Sequence, residues 1–371
     1  MKGLKLNILL IIGLMVILSA CMHDNALRDF HRLVVHHDEK AVFIVNEGNF
    51  MYGNASLTYY NPNTKEVLND VFYNTNALPL GDVAYSMRIR DSLAYIVVNN
   101  SGKIYIMNVN TFRYVGKITG FTSPRHILFL DDEKAYVSDL YARTISIVNP
   151  KTKQITGKID IDNHSSRFNQ HSSEQMIRFG DFVFVNSWSY DNKILVIDSR
   201  SDRWVDSITV AKQPNSMVLD KNNKLWVLSD GGFSGSPYGQ TLAALTRIDA
   251  QSHQVEKVFT FSDSLASPSG LTTNAAGDSL YFLYNNWAGG QVAGAGLYVM
   301  GVDDNHLPEK PLIAQNRKLF YALGIDPLSG RIYLSDAIDF AQRGQVYVYS
   351  PKAVLLDSLK AGIIPSAFCF K

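Results

Sequence analysis

The stretch that decides the fold is residues 126–161, HILFLDDEKAYVSDLYARTISIVNPKTKQITGKIDI. Residues 127–130 are apolar and lead into a tight acidic turn at Asp131, Asp132 and Glu133; residues 135–138 then alternate apolar and polar. A loop over 139–143 precedes residues 144–148, a second turn occupies 149–152, and residues 154–159 close the unit. Period-two alternation between turn clusters predicts four antiparallel strands. A lone four-stranded meander exposes two edges and buries little, so this unit must pack against copies of itself.

Those copies are present. The opening strand recurs around Met87, Ile127, Ile177, Met217, Leu271, Leu323 and Ala367, at spacings of 40, 50, 40, 54, 52 and 44 residues. The second strand recurs from Val42, Ala94, Ala135, Phe182, Leu225, Leu280 and Ile332, and a third follows each of them. Seven copies of a four-strand unit of this length predict an all-β, seven-bladed β-propeller. The first copy, beginning near Ala41, lacks an opening strand, whereas residues 364–370 are an opening strand with nothing after it. The C-terminal strand is therefore expected to complete the N-terminal blade, closing the ring without a free edge.

Residues 1–20 stand outside this pattern. Lys2 and Lys5 precede an apolar run over 6–18 that is short for a membrane span, and residues 18–21, LSAC, resemble a bacterial lipobox. That resemblance implies cleavage before Cys21, its lipidation, and attachment to a membrane by stable acyl anchoring. Residues 21–40 read as a polar tether and 41–371 as the propeller. Of the two cysteines, Cys21 is the anchor and Cys369 sits in the closing strand, so the mature chain has no pair for a disulfide. A formal net charge of +1 supplies no basic field, which excludes nucleic acid as an expected partner.

In a propeller the loops joining strands two and three share a face with the loops linking blades. The turns assigned to the opposite face (DDEK, DKNN, NPNTKE, NPKTKQ and the like) are short and charged, and no function is expected there. The first face mixes aromatics with neutral hydrogen-bonding groups. Its candidate ligand-binding residues are Asn46, Glu47, Asn49, Tyr85, Asn100, Arg125, Asp139, Tyr141, Trp188, Tyr190, Asn215, Phe233, Trp287 and Tyr321. This is the make-up of a site for a large, mostly neutral, polar ligand, or of a protein interface. Asn and Asp suit turns in any case, but loop aromatics such as Trp188, Tyr190, Phe233 and Trp287 require a partner.

Motifs of catalysis are missing. The sequence has no nucleophile elbow, HExxH, P-loop or dinucleotide fingerprint, so neither an enzymatic activity nor a resident cofactor is expected. His126, His164 and His171 fall on or near the first face, but on separate loops that give no metal-ligand spacing. Asp336 and Asp339 lack the spacing of a calcium loop, and no metal site is expected. Arg125 either meets an anion or carboxylate or braces a neighbouring blade through carbonyls, and Glu47 would need a second carboxylate for acid–base work.

Residues 45–50 (VNEGNF), 54–57 (NASL), 80–84 (LGDVA), 98–103 (VNNSGK), 123–125 (SPR), 136–141 (YVSDLY) and 185–190 (VNSWSY) carry a resemblance to a known family. The chain resembles the YncE-type seven-bladed propeller lipoproteins of Bacteroidetes. Within them it is most similar to the BtuG group, which binds cobalamin at the cell surface over the outer-membrane transporter BtuB. The resemblance implies a surface-exposed, outer-membrane lipoprotein that binds cobalamin or another corrinoid and passes it to a TonB-dependent transporter. The resemblance is consistent with the ring of loops on the first face: Asn, Gln, Ser and Tyr groups would answer the corrinoid amides, aromatic faces would cover the corrin edge, and an arginine would meet its phosphate. Two other readings stay open: a scaffold for a protein or glycan partner, and a metal-dependent propeller lyase or lactonase.

Overall fold

The strand pattern is realised as seven four-stranded antiparallel sheets in a computed structural model that describes residues 40–164, 172–285 and 294–371. With strands numbered in chain order, the first strands of the blades are β4 (Ala84–Arg90), β8 (Pro124–Phe129), β12 (Ser173–Phe179), β16 (Pro214–Leu219), β20 (Ser269–Thr273), β24 (Phe320–Ile325) and β28 (Pro365–Phe370). These seven strands contact one another around the ring and so form its inner wall. The repeat positions from Met87 to Ala367 each fall in one of them.

Second strands such as β1 (Val42–Asn46), β9 (Ala135–Asp139) and β25 (Ile332–Asp336) are buried at every position. Both of their faces are covered by neighbouring blades, which requires near-continuous apolar character. Outer strands such as β11 (Gln154–Asp160) and β15 (Arg203–Thr209) alternate exposed and half-buried residues instead. The apolar core is correspondingly divided into seven clusters, each built from two adjacent blades; one joins Val42, Ile44 and Tyr60 of the first blade to Tyr333, Val346 and Leu359 of the last.

Closure follows the expected route. β28 pairs antiparallel with β1, with Val42 opposite Phe370 and Ile44 opposite Phe368, so the C-terminus supplies the inner strand of the N-terminal blade. The Cys369 thiol is buried there, and burial pushes its pKa up to about 11. It is a core thiol.

The turns between third and fourth strands explain the charged motifs. Asn61, Asn108, Asn149 and Asp249 each accept hydrogen bonds from backbone N–H groups two and three residues on. A residue with positive φ follows in each case: Lys65, Phe112, Lys153 and His253. These Asx turns are a local solution to reversing the chain in water. The sequence did not disclose a short helix, α1 (Val71–Asn76), after the three-residue outer strand β3 (Glu66–Leu68).

Candidate ligand-binding face and channel mouth

Every inner strand begins with a break in register. Ala84 pairs with Val98 but Ser86 with Val97; Pro124 pairs with Asp139 but Ile127 with Val137; Pro214 pairs with Ser229 but Ser216 with Leu228. The same shift occurs in β12, β20, β24 and β28. A bulge inserts an extra residue and re-aims a side chain. Here seven bulges place Tyr85, Arg125, Glu174, Asn215, Gly270, Tyr321 and Ser366 at equivalent points around one end of the inner wall. Blade six contributes a glycine at this position.

Five of these residues and Glu47 form one electrostatic unit. Arg125 donates through Nε to both Glu174 carboxylate oxygens, at 2.9 and 2.8 Å, and stacks on Tyr85 with its guanidinium carbon 3.4 Å from the ring centroid. Arg125 is 9% exposed and Glu174 2%. Burial lowers the Arg125 pKa, but the Glu174 charge more than offsets this and holds it above its ordinary value. Burial raises the pKa of Glu174 against the pull of Arg125. Across the mouth, the Tyr321 hydroxyl donates to both Glu47 oxygens at 3.3 Å, with Ser366 beside them. Burial pushes the Glu47 pKa up to about 7, against the opposing effects of Arg125, Tyr321 and Ser366. Glu47 and Arg125 feel each other's charge without forming an ion pair. Gly48, at φ +72°, lets the chain turn directly after Glu47, where a Cβ would lie 2.4 Å from Asn54 Oδ1.

A second polar group lies at blades four to six. Trp188 Nε1 donates to Asp230 at 3.3 Å, Gly232 N–H donates to the same carboxyl at 2.8 Å, and Asn215 lies beside it while donating to the Pro268 carbonyl at 2.7 Å. Burial pushes the Asp230 pKa up to about 6 despite these donors.

Around this mouth the strand-two-to-three loops carry exposed apolar side chains: Phe50, Met51 and Tyr52, then Tyr141, Tyr190, Phe233, Ile338 and Phe340. Tyr190 stacks on Tyr238 with ring centroids 4.5 Å apart, and Tyr321 meets Phe340 edge-to-face at 5.6 Å. Asn49 fixes the first of these loops to the last by donating to the Phe340 carbonyl at 2.6 Å.

The predicted site residues thus divide. Glu47, Tyr85, Arg125, Asn215 and Tyr321 converge on the mouth; Tyr141, Tyr190 and Phe233 stand on the rim; Asn49 is half-buried in its wall, and Trp188 is half-buried against Asp230. Asn100 is exposed in the blade-two loop, where its amide is bonded to the Asp82 carboxylate. Two residues require correction. Asn46 is wholly buried, donating to Ser56, Thr58 and the Ile44 carbonyl and accepting from Gly362 N–H, so it ties β1 to its neighbours and has no surface for a ligand. Asp139 is 2% exposed, and its carboxylate accepts backbone N–H groups of Thr122, Ser123, Tyr141 and Ala142, which saturates it as a loop clasp. Arg125 needs a narrower correction: its charge is already matched by Glu174, which removes the free cation that a phosphate would require. Trp287, Cys21 and His171 lie outside the described residues.

Glu174 and Ser366 were missed. The repeat register held the signal, because the bulge residue stands one to three positions before each recurring apolar residue of the inner strand. His126, packed edge-to-face on Tyr85 at 5.4 Å, is held neutral, its pKa pushed down to about 3 by burial and then by Arg88 and Arg125. His164 is exposed and sits 3.6 Å from Asp162. Asp336 accepts from Leu319 and Ile338 N–H, and Asp339 from Ala341 and Gln342 N–H. Among the described residues no three His, Cys, Asp or Glu side chains are grouped to hold a metal. A separate off-axis cavity of about 490 Å³ lies between α1, β2 (Ser56–Asn61) and β27 (Leu355–Ile363). It is lined by Leu57, Phe72 and Leu80, with Asp70 and Arg343 paired beside it.

The sequence profile of the family described as Domain of unknown function (DUF5074) matches residues 40–350. No curated protein matches the sequence. A quinoprotein alcohol dehydrogenase-like protein from Bacteroides thetaiotaomicron superposes with a TM-score of 0.66 at 16% identity, over 90% of this chain and 78% of that one. The periplasmic gluconolactonase PpgL of Pseudomonas aeruginosa gives 0.64 at 10% identity, over 89% and 98%. A putative 6-phosphogluconolactonase from Bacteroides uniformis gives 0.61 at 13% identity, over 90% and 100%. At these identities the likeness is one of fold.

Proposed function

We propose that this chain, which belongs to the DUF5074 family and has a YncE-like propeller fold, captures a broad, largely uncharged ligand on the face that carries the channel mouth. The class of ligand we propose is a corrinoid, held by a lipid-anchored protein at the outer membrane and handed to a TonB-dependent transporter. The observation that carries the reading is the rim of exposed aromatics, Phe50, Tyr52, Tyr141, Tyr190, Phe233 and Phe340, on loops of one face around a polar centre. Exposed apolar side chains concentrated in this way mark a binding surface. Asn61, Asn108, Asn149 and Asp249, in turns between third and fourth strands, instead form self-satisfied Asx turns. The corrinoid and the transporter come from the sequence resemblance, and the lipid anchor from the lipobox at Cys21.

Binding rather than catalysis is the reading because most carboxylates here have assigned partners. Glu174 faces Arg125, and Asp139, Asp336 and Asp339 are taken by backbone N–H groups. Glu47 is left with Tyr321 and Ser366, without a second free carboxylate for acid–base exchange.

The test is titration of cyanocobalamin into a soluble form beginning after Cys21, followed by calorimetry and by retention of the red ligand on a desalting column. Stoichiometric binding, weakened at least tenfold in Tyr190→Ala and Tyr141→Ala, is expected. Absence of binding at micromolar ligand would remove the corrinoid reading and leave a scaffold whose partner is a protein or glycan.

A further inference from the structure

The Arg125 guanidinium is nine-tenths buried, yet only its Nε is used; among the described residues no protein acceptor receives a hydrogen bond from Nη1 or Nη2. Neither nitrogen is fully enclosed, since neither is among the sealed polar atoms that lack a partner. Glu47 offers a carboxyl that accepts from the Tyr321 hydroxyl, with Ser366 beside it donating to the Val45 carbonyl. Arg125 and the partners of Glu47, Tyr321 and Ser366, occupy equivalent bulge positions at one end of the inner wall, and Arg125 and Glu47 are not joined in an ion pair. Donors open to solvent and without a protein acceptor can exchange water for an incoming group that supplies one.

We infer that the gap between Glu47 and Arg125 is a subsite for a primary carboxamide, whose C=O accepts from the Arg125 Nη groups and whose NH₂ donates to Glu47. The charge count discriminates against a carboxylate. Two carboxyls, Glu47 and Glu174, already face one guanidinium, and His126 is neutral, so an anion would be the third negative group in a buried site. A carboxamide adds no charge and matches both edges. The mouth thus reads amide against acid, in the way that sites built to bond a polar group reject the analogue that leaves their own groups unpaired.

The first arm of the test rests on the corrinoid reading; the second does not. In the first, cyanocobalamin and its separated monocarboxylic acids, in which one peripheral amide has become a carboxylate, are titrated at pH 8 into wild type and Glu47→Gln. Expected is one acid bound at least tenfold more weakly than the parent, with that preference lost in Glu47→Gln, whose amide can donate to a carboxylate. Tight corrinoid binding with no acid discriminated, or with discrimination unchanged in Glu47→Gln, would overturn the subsite while leaving the capture function standing. The second arm follows the Glu47 carboxyl by carbon-13 NMR, assigned through Glu47→Gln, while propionamide or propionate is added up to 0.5 M. Propionamide is expected to lower the Glu47 titration midpoint saturably, and propionate to raise it or leave it in place. If cyanocobalamin does not bind, the capture function fails and this arm decides alone: no response to propionamide, or the same response to both probes, overturns the subsite.

Discussion

Replacing Arg125 by methionine removes the cation from a site that buries two carboxyls. Methionine keeps much of the stem's volume, so the change is chiefly electrostatic. Glu174, 2% exposed, would lose its ion pair and both Nε hydrogen bonds. Leaving one buried charge unpaired costs about 3–5 kcal/mol, but Glu174 can escape part of this by taking up a proton. From its ordinary value of 4.5, holding it protonated at pH 7 costs about 1.4 kcal/mol per pH unit, or about 3.4 kcal/mol. The sign follows. A carboxyl whose folded pKa is raised destabilises the fold above its unfolded pKa, and the penalty vanishes below it. The protonation part of the Arg125→Met deficit should therefore reach at most about 3 kcal/mol at pH 7 and fall to about 0.7 kcal/mol at pH 5, while the lost contact with Tyr85 adds about 1 kcal/mol at both pH values. For a propeller of this size 3 kcal/mol corresponds to about 4–5 °C in Tm. Differential scanning calorimetry from pH 5 to pH 8 measures it, and Glu174→Gln on the Arg125→Met background should recover most of the loss at pH 7. A deficit independent of pH, or one unrelieved by the second substitution, would refute the electrostatic account and reduce the pair to packing.

Glu47→Gln should raise stability at pH 8, by about 1–3 kcal/mol, and leave it unchanged at pH 4.5, because the folded carboxyl titrates near 7, above its ordinary value of 4.5; calorimetry at the two pH values checks this. Removing residues 365–371 should abolish the monomer, since β1 loses its inner partner and exposes an unpaired edge; size-exclusion chromatography should show aggregates or strand-exchanged oligomers, and a synthetic peptide of residues 364–371 should restore monomer. Asn46→Ala should cost about 1–3 kcal/mol by chemical denaturation, because Gly362 N–H is left without its buried acceptor, and should leave the affinity of the folded protein for any ligand unchanged.

The seven-blade architecture was legible because it rests on patterns that recur. Alternating strands and Asx turns repeat every 40 to 54 residues, and each is a local physical solution that needs no distant partner. Closure was legible from the same logic, as an opening strand left over at one end and missing at the other. The face was legible from loop composition: Tyr141, Tyr190 and Phe233 are exposed where the loop order puts them. Individual roles were not. Asn46 and Asp139 have the same residue types as a ligand-binding loop, but their hydrogen bonds go to backbone and side chains brought close only by blade packing. Arg125 meets Glu174 across 49 residues of sequence, a pairing that becomes visible only when the repeats are placed in a ring. Helix α1 was hidden because it occupies a connection whose counterparts, among the described residues, have no helix.

The chain's ends and its site are linked by the same geometry. Glu47 follows the last residue of β1, and its own N–H is bonded to the Ile364 carbonyl at 2.9 Å, immediately before β28. Ser366, beside the Glu47 carboxyl, is the bulge residue of β28, and Tyr321 reaches Glu47 from the preceding blade. Half of the mouth is therefore assembled by the strand pairing that closes the ring. Arg125, Tyr85 and Glu174 belong to blades two to four and need no closure to meet one another. A propeller that opened at the β1–β28 seam would retain the ion pair but lose the carboxyl opposite it. Ring closure and completion of the candidate site are one event, and a ligand spanning Glu47 and Arg125 would bind only the closed form, stabilising it by mass action.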